Sequence, residues 1–205
     1  MSLALTIVSC EKHPDYDQLD NDLVVYTDYD NTKDFNDYKT FYLPDSILEV
    51  NGHKSEYWND ENARLLVQQV NEEMQSRGYE RITDARRKQE ADLGLQLSYV
   101  AKTNLIINGG YFNGFWDFGY WGPWWNGWYY PYTISYSYNT NNLMIEMVAL
   151  QQEDKRTTRE QPQKLPVIWY SLSSGYQFSG PYNTRLLTEA IHQSFQQSPY
   201  LHTEE

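Results

Sequence analysis

ADLGLQLSYVAKTNLII, residues 91–107, alternates cleanly: Leu93, Leu95, Leu97 and Tyr99 fall on one side of an extended chain. That period of two marks a β-strand with one face packed on a core. Similar signals lie on either side. LVVYTDYD (23–30) is rich in strand formers and precedes a turn at Asn31-Thr32; DFNDYKTFYL (34–43) reads as a second strand, stopped by Pro44. Residues 45–58 read as a loop containing Asn51-Gly52. Further on, YTISYSYN alternates with Tyr132, Ile134, Tyr136 and Tyr138 on one side, and LMIEMVAL (143–150) is the next strand. A hydrophilic loop over 151–165 leads to a short strand around Val167–Leu172.

Two helices punctuate this pattern. Over residues 60–77, Ala63, Leu66, Val67, Val70 and Met74 recur at helical spacing, leaving Glu61, Arg64, Gln68, Glu72 and Gln75 outward. Asn59 or Asp60 suits the N-cap, and Gly78 the C-terminal stop. Over about 183–197, Leu186, Leu187, Ala190, Ile191 and Phe195 face inward, and Pro199 closes the helix. Strands in two groups, each followed by a helix, predict an α+β fold. The expected form is an antiparallel sheet with two helices on one face, a two-layer sandwich.

The total of 205 residues fits one domain with a tether. The expected division is a signal segment over 1–10, an acidic tether over 11–22, and a single domain over 23–199. Net charge is −12, the wrong sign for a nucleic-acid surface. No run reaches the ~18 apolar residues of a transmembrane helix. Cys10 is the only cysteine, which excludes an intrachain disulfide. It ends the run LALTIVSC and is followed at once by EKHPDYDQLDND, a charged and flexible composition. The order resembles the lipobox of bacterial lipoproteins, in which the cysteine thiol is acylated. The run is shorter than a full signal peptide and lacks its basic start. The resemblance implies a membrane anchor through Cys10, palmitate among its acyl chains, and a cell-envelope setting, with an outer-membrane lipoprotein as the expected form.

Little in the chain points to chemistry. His13, His53, His192 and His202 are scattered, with no pair at metal-ligand spacing. The aspartate runs 15–22 and 28–37 lack the glycine and terminal glutamate of a calcium loop, and Asp28 and Asp30 suit turns at a strand end. Ser173-Ser174-Gly175 lacks the glycine frame of a nucleophile elbow. Gly109-Gly110 has no following lysine and helix to make a phosphate loop. No cofactor or metal is expected.

The unusual feature is GGYFNGFWDFGYWGPWWNGWYYPY, residues 109–132. Thirteen of its 24 residues are aromatic, six are glycine, and only Asp117 is charged. Lying between two alternating strands, it reads as an extended hairpin insertion. One reading is a loop packed on itself and on the sheet. A second is a surface for an envelope protein or glycan, made by Trp116, Trp121, Trp124, Trp125, Trp128 and Tyr129, with Asn113, Asp117 and Asn126 as polar contacts. A third is contact with a bilayer surface, where Trp and Tyr are enriched. The expected role is therefore non-enzymatic binding. The alternative is an envelope glycan hydrolase with two carboxyl groups converging beside the tryptophans.

Several blocks together resemble the bacterial lipoprotein family catalogued as domain of unknown function 4136. They are VVYTDYDNTKDFNDYKTFYL near the front, SRGYERI and EADLGLQLSY after the first helix, and the late VIWYS and FQQSPY. They span about residues 23–199. The long loop 151–165 before Trp169 departs from the family pattern. The resemblance implies an α+β fold and an envelope lipoprotein, and supplies no catalytic residue.

Overall fold

The computed structural model describes residues 24–51, 54–102, 105–108, 114–132, 135–138, 142–151, 162–174 and 182–203. Cys10, the signal segment 1–10, the acidic tether 11–22, Asn113, Ile134 and most of the loop 151–165 lie outside them. In chain order the strands are β1 (Val24–Tyr29), β2 (Thr40–Tyr42), β3 (Ile47–Asn51), β4 (Lys54–Trp58), β5 (Glu80–Ile82), β6 (Leu93–Lys102), β7 (Leu105–Asn108), β8 (Trp125–Tyr129), β9 (Ser135–Tyr138), β10 (Asn142–Ala149) and β11 (Gln163–Ser174). The helices are α1 (Glu61–Ser76), the single-turn α2 (Phe118–Trp121) and α3 (Tyr182–Gln196).

The main sheet runs β1-β11-β10-β6-β2-β5. Its middle, β1 through β6, is antiparallel as expected. Its flanks are parallel: β2 and β3 lie end to end along β6, and β8 runs along β11. The α+β class holds, and the sheet is mixed. A separate ribbon pairs β7 with β9.

One face of the sheet carries α1 and α3. Leu93, Leu95 and Leu97 of β6 and Leu143, Ile145 and Met147 of β10 meet the predicted helix stripe of Ala63, Leu66, Val67, Val70 and Met74, joined by Leu187, Ile191 and Phe195 of α3. Each of these side chains larger than Ala63 contributes about 1.5–3 kcal/mol on leaving water. Asp60 is the N-cap of α1, accepting the Ala63 N–H at 2.9 Å, and Gly78 follows the helix at φ +91°.

Several expected elements differ, among them the short strand expected around Val167–Leu172, which is the twelve-residue β11 and begins inside the expected loop 151–165. Residues 34–43 are not one strand: Asp34 accepts the Asn36 N–H and caps a 3-10 turn over Phe35–Asp37, leaving Thr40–Tyr42 as β2. Residues 45–58 are not a loop but the hairpin β3–β4, paired from Ile47↔Trp58 to Asn51↔Lys54. Its second strand, KSEYW, is largely exposed and so carries no apolar alternation to announce it.

The largest difference is a third layer. All eight residues of β10 are buried, because its second face is also covered. Met144 and Val148, with Leu165, Val167, Tyr170 and Leu172 of β11, pack beneath Trp121, Trp125 and Trp128. The aromatic segment is thus a layer of the core rather than a hairpin projecting from it.

Candidate functional site

The aromatic layer is positioned by a few polar contacts. Asp117 Oδ1 accepts the Tyr120 N–H at 3.0 Å, which caps α2, and the hydroxyl of Tyr57 on β4 at 2.8 Å. At the other end of α2, the Lys88 ammonium donates to the carbonyls of Tyr120 and Gly122, where a cation suits the helix C-terminus. Burial lowers the proton affinity of Lys88. The Trp121 indole N–H donates to Gln96 Oε1 at 2.8 Å, and Gln96 Nε2 donates to the Phe115 carbonyl at 2.7 Å. Beneath Trp121 the sheet carries Gly94, where a Cβ would come within 2.7 Å of the indole ring. A glycine inside a strand here marks close approach of another group to the backbone.

A buried carboxyl stands at the centre of this layer. Glu146 is 0% exposed and lies opposite Gln96 on β6 and Tyr170 on β11. It accepts the Phe115 N–H at 3.1 Å and the Tyr130 hydroxyl at 2.5 Å. Burial pushes its carboxyl up to about 7, while those two bonds pull the other way.

The six expected contact residues divide. Trp121, Trp125 and Trp128 are 0%, 2% and 0% exposed, so the expectation that they form a contact surface is corrected: the apolar second face of the sheet takes them inside. Trp116 and Trp124 are half-buried against the same cluster. Only Tyr129 is well exposed, at 41%. The surface that remains is a different one. Phe118 is 65% exposed and Tyr57 49%. Tyr57 packs on Tyr120 with ring centroids 5.0 Å apart, Trp116 meets Phe118 edge-on at 6.0 Å, and Ser46 Oγ shares a hydrogen bond with Tyr120 at 2.9 Å. Aromatic faces, two phenol hydroxyls and the Asp117 carboxylate therefore converge on one rim. Sequence reasoning missed Tyr57 because it lies on the unrecognised β4. It missed Glu146 too, although a lone acid in the apolar run LMIEMVAL was a legible sign of a buried carboxyl.

Other titratable groups among the described residues make contacts within the fold. Asp30 accepts the Thr32 N–H and hydroxyl in the turn after β1. His192 on α3 bonds Glu73 on α1 at 2.6 Å, and Arg77 pairs with the same carboxylate at 2.6 Å. Among the described residues no group of three or more His, Cys, Asp or Glu is placed to hold a metal ion, and no helix is long and apolar enough to cross a membrane.

A family model described as a domain of unknown function, DUF4136, matches residues 25–200. No curated protein shows significant similarity to the chain. Among solved structures, a DUF4136 family protein from Bacteroides thetaiotaomicron is 38% identical, with a TM-score of 0.70 over 90% of this chain and 100% of its own. A PelC dodecamer from Paraburkholderia phytofirmans is 12% identical with a TM-score of 0.42, covering 89% of this chain and 99% of its own. A PDZ domain protein from Parabacteroides distasonis is 15% identical with a TM-score of 0.37, covering 89% of this chain and 37% of its own. The last two are too distant to bear on function.

Proposed function

The chain belongs to the DUF4136 family, whose model spans residues 25–200, and on that premise we propose a non-enzymatic, lipid-anchored envelope protein that binds a neutral glycan at the Tyr57–Phe118 rim. The anchor in this reading is the Cys10 thiol, followed by the acidic stretch 11–22 as a spacer. The observation that carries the binding role is the 65% exposure of Phe118 beside Tyr57 and Asp117. Exposed rings that adjoin one another, rather than standing singly, mark contact sites. The apolar C–H face of a pyranose stacks on such a ring, and its hydroxyls suit a neighbouring carboxylate and phenols. The net charge of −12 disfavours the bilayer alternative, since anionic headgroups repel an acidic protein. The hydrolase alternative is disfavoured by Glu146. Of the two carboxyls beside the tryptophans, Asp117 lies on the rim, while Glu146 is sealed from solvent and engaged by Phe115 and Tyr130.

The test is a titration of acyl-free protein with neutral envelope oligosaccharides, read by intrinsic fluorescence. Saturable binding is expected, weakened roughly 10-fold, or about 1.4 kcal/mol, in Phe118→Ala and again in Tyr57→Ala. Binding indifferent to both substitutions sinks the assignment of the rim, and vesicle binding without glycan binding favours a membrane contact. Cells grown with labelled palmitate are expected to label the wild type and not Cys10→Ala.

A further inference from the structure

Glu146 sits at the neck of the aromatic segment. Its Oε2 takes the Phe115 N–H and its Oε1 the Tyr130 hydroxyl, so one side chain ties down both ends of residues 115–130. Among the described residues, none of the ion pairs formed by lysine, arginine or histidine involves it. The titratable groups around it are phenols, Tyr130 and Tyr132 from the segment and Tyr170 from β11, and Tyr132 in turn neighbours Asp28 and Asp30. From β6 it meets the neutral Gln96. Lys88 is turned instead to the carbonyls of Tyr120 and Gly122. A carboxylate in such a place forgoes the hydration it would have in water, and two hydrogen bonds do not replace it. The closed segment bears a second cost, because the indole N–H groups of Trp125 and Trp128 are buried with no acceptor among the described residues.

We propose that Glu146 is a proton-operated latch: neutral, it holds the aromatic segment closed over the sheet; ionised, it weakens that closure, so that the segment opens more often and transiently uncovers Trp121, Trp125 and Trp128. The helices need not take part, since α1 and α3 pack on the opposite face. The device does not depend on what, if anything, binds at the Phe118 rim.

Its direction with pH follows from burial. The closed state raises the carboxyl from 4.5 to about 7, so it binds the proton more tightly than the open state does. Closure is therefore most favourable below pH 4.5, weakens as pH rises, and levels off above about 7.

The test is hydrogen exchange on the whole chain between about pH 5 and pH 9, each amide rate being divided by that of an unstructured peptide at the same pH. Protection of the Phe115, Trp121 and Gly122 amides is expected to fall on the order of 100-fold across this range, while α1 amides hold steady. The fall is expected to vanish in Glu146→Gln. In Tyr130→Phe, which lacks a bond that favours the ionised form, the levelling-off is expected at higher pH. Flat protection in the wild type overturns the latch, as does an equal fall in Glu146→Gln or a fall shared by α1. Should Glu146→Gln fail to fold, an unmoved profile in Tyr130→Phe overturns it.

Discussion

Trp121→Ala is expected to destabilise the domain by about 3–5 kcal/mol, the range for deleting a large aromatic side chain from a packed core. The residue is one of 24 in a segment that reads as a loop, yet it is 0% exposed. Its ring meets Trp125 at 6.1 Å, Trp128 at 5.9 Å and Tyr42 at 5.8 Å, each near edge-on. Removing it opens a cavity over Gly94 and leaves Gln96 Oε1 without the indole donor. The loss of that donor adds a buried unsatisfied acceptor to the cavity cost. For a chain of this size such a loss lowers the thermal midpoint by roughly 10 °C or more. Phe118→Ala, only three residues away but exposed, is expected to move it by roughly 1 °C. The contrast between the two separates core from rim. A midpoint unchanged in Trp121→Ala contradicts this packing.

Gly114→Ala is expected to cost as much, about 3 kcal/mol, from two sources that act together. Gly114 has φ +64°, a conformation that L side chains disfavour. A Cβ there would also run into Trp128 Nε1 and Glu146 Oε1. Neither neighbour can yield easily, since Trp128 is buried and Glu146 is held by Phe115 and Tyr130. The expected outcome in denaturant melts is a lower midpoint. The α1–α3 face should keep its helical circular dichroism until the main transition. A Gly114→Ala variant as stable as the wild type contradicts the close approach of the neck to Glu146.

These two residues also mark where the sequence stopped being readable. The helix stripe from Ala63 to Met74 and the alternation Leu93, Leu95, Leu97 have fixed periods, and each landed in the core as expected. Asp60 was readable because a cap needs a particular side chain at one position. The run LMIEMVAL was half-read. Eight consecutive buried positions mean that both faces of β10 are covered, and only the helical cover was anticipated. The other cover has no period. Trp121, Trp125 and Trp128 point inward while Phe118 and Tyr129 point outward, and nothing in their spacing separates them. What does separate them is tertiary: the parallel pairing of β8 with β11, the cap at Asp117 and the space left by Gly94. The rim depends on the same long-range contacts, with Tyr57 reaching Asp117 across 60 positions of sequence.

The aromatic layer is the part of this fold on which the rim, the latch and both large substitutions depend. Its removal is therefore the most direct test. Asn108 and Ser135 face each other at the end of the β7–β9 ribbon, so residues 109–134 can be replaced by Asn-Gly, the preferred two-residue hairpin turn. If the segment is a core layer, the shortened chain exposes Met144, Val148, Leu165, Val167 and Leu172 together. It should then lose its cooperative thermal transition or aggregate. A shortened chain that melts cooperatively at the wild-type midpoint would show that the segment is an appendage and contradict the three-layer core.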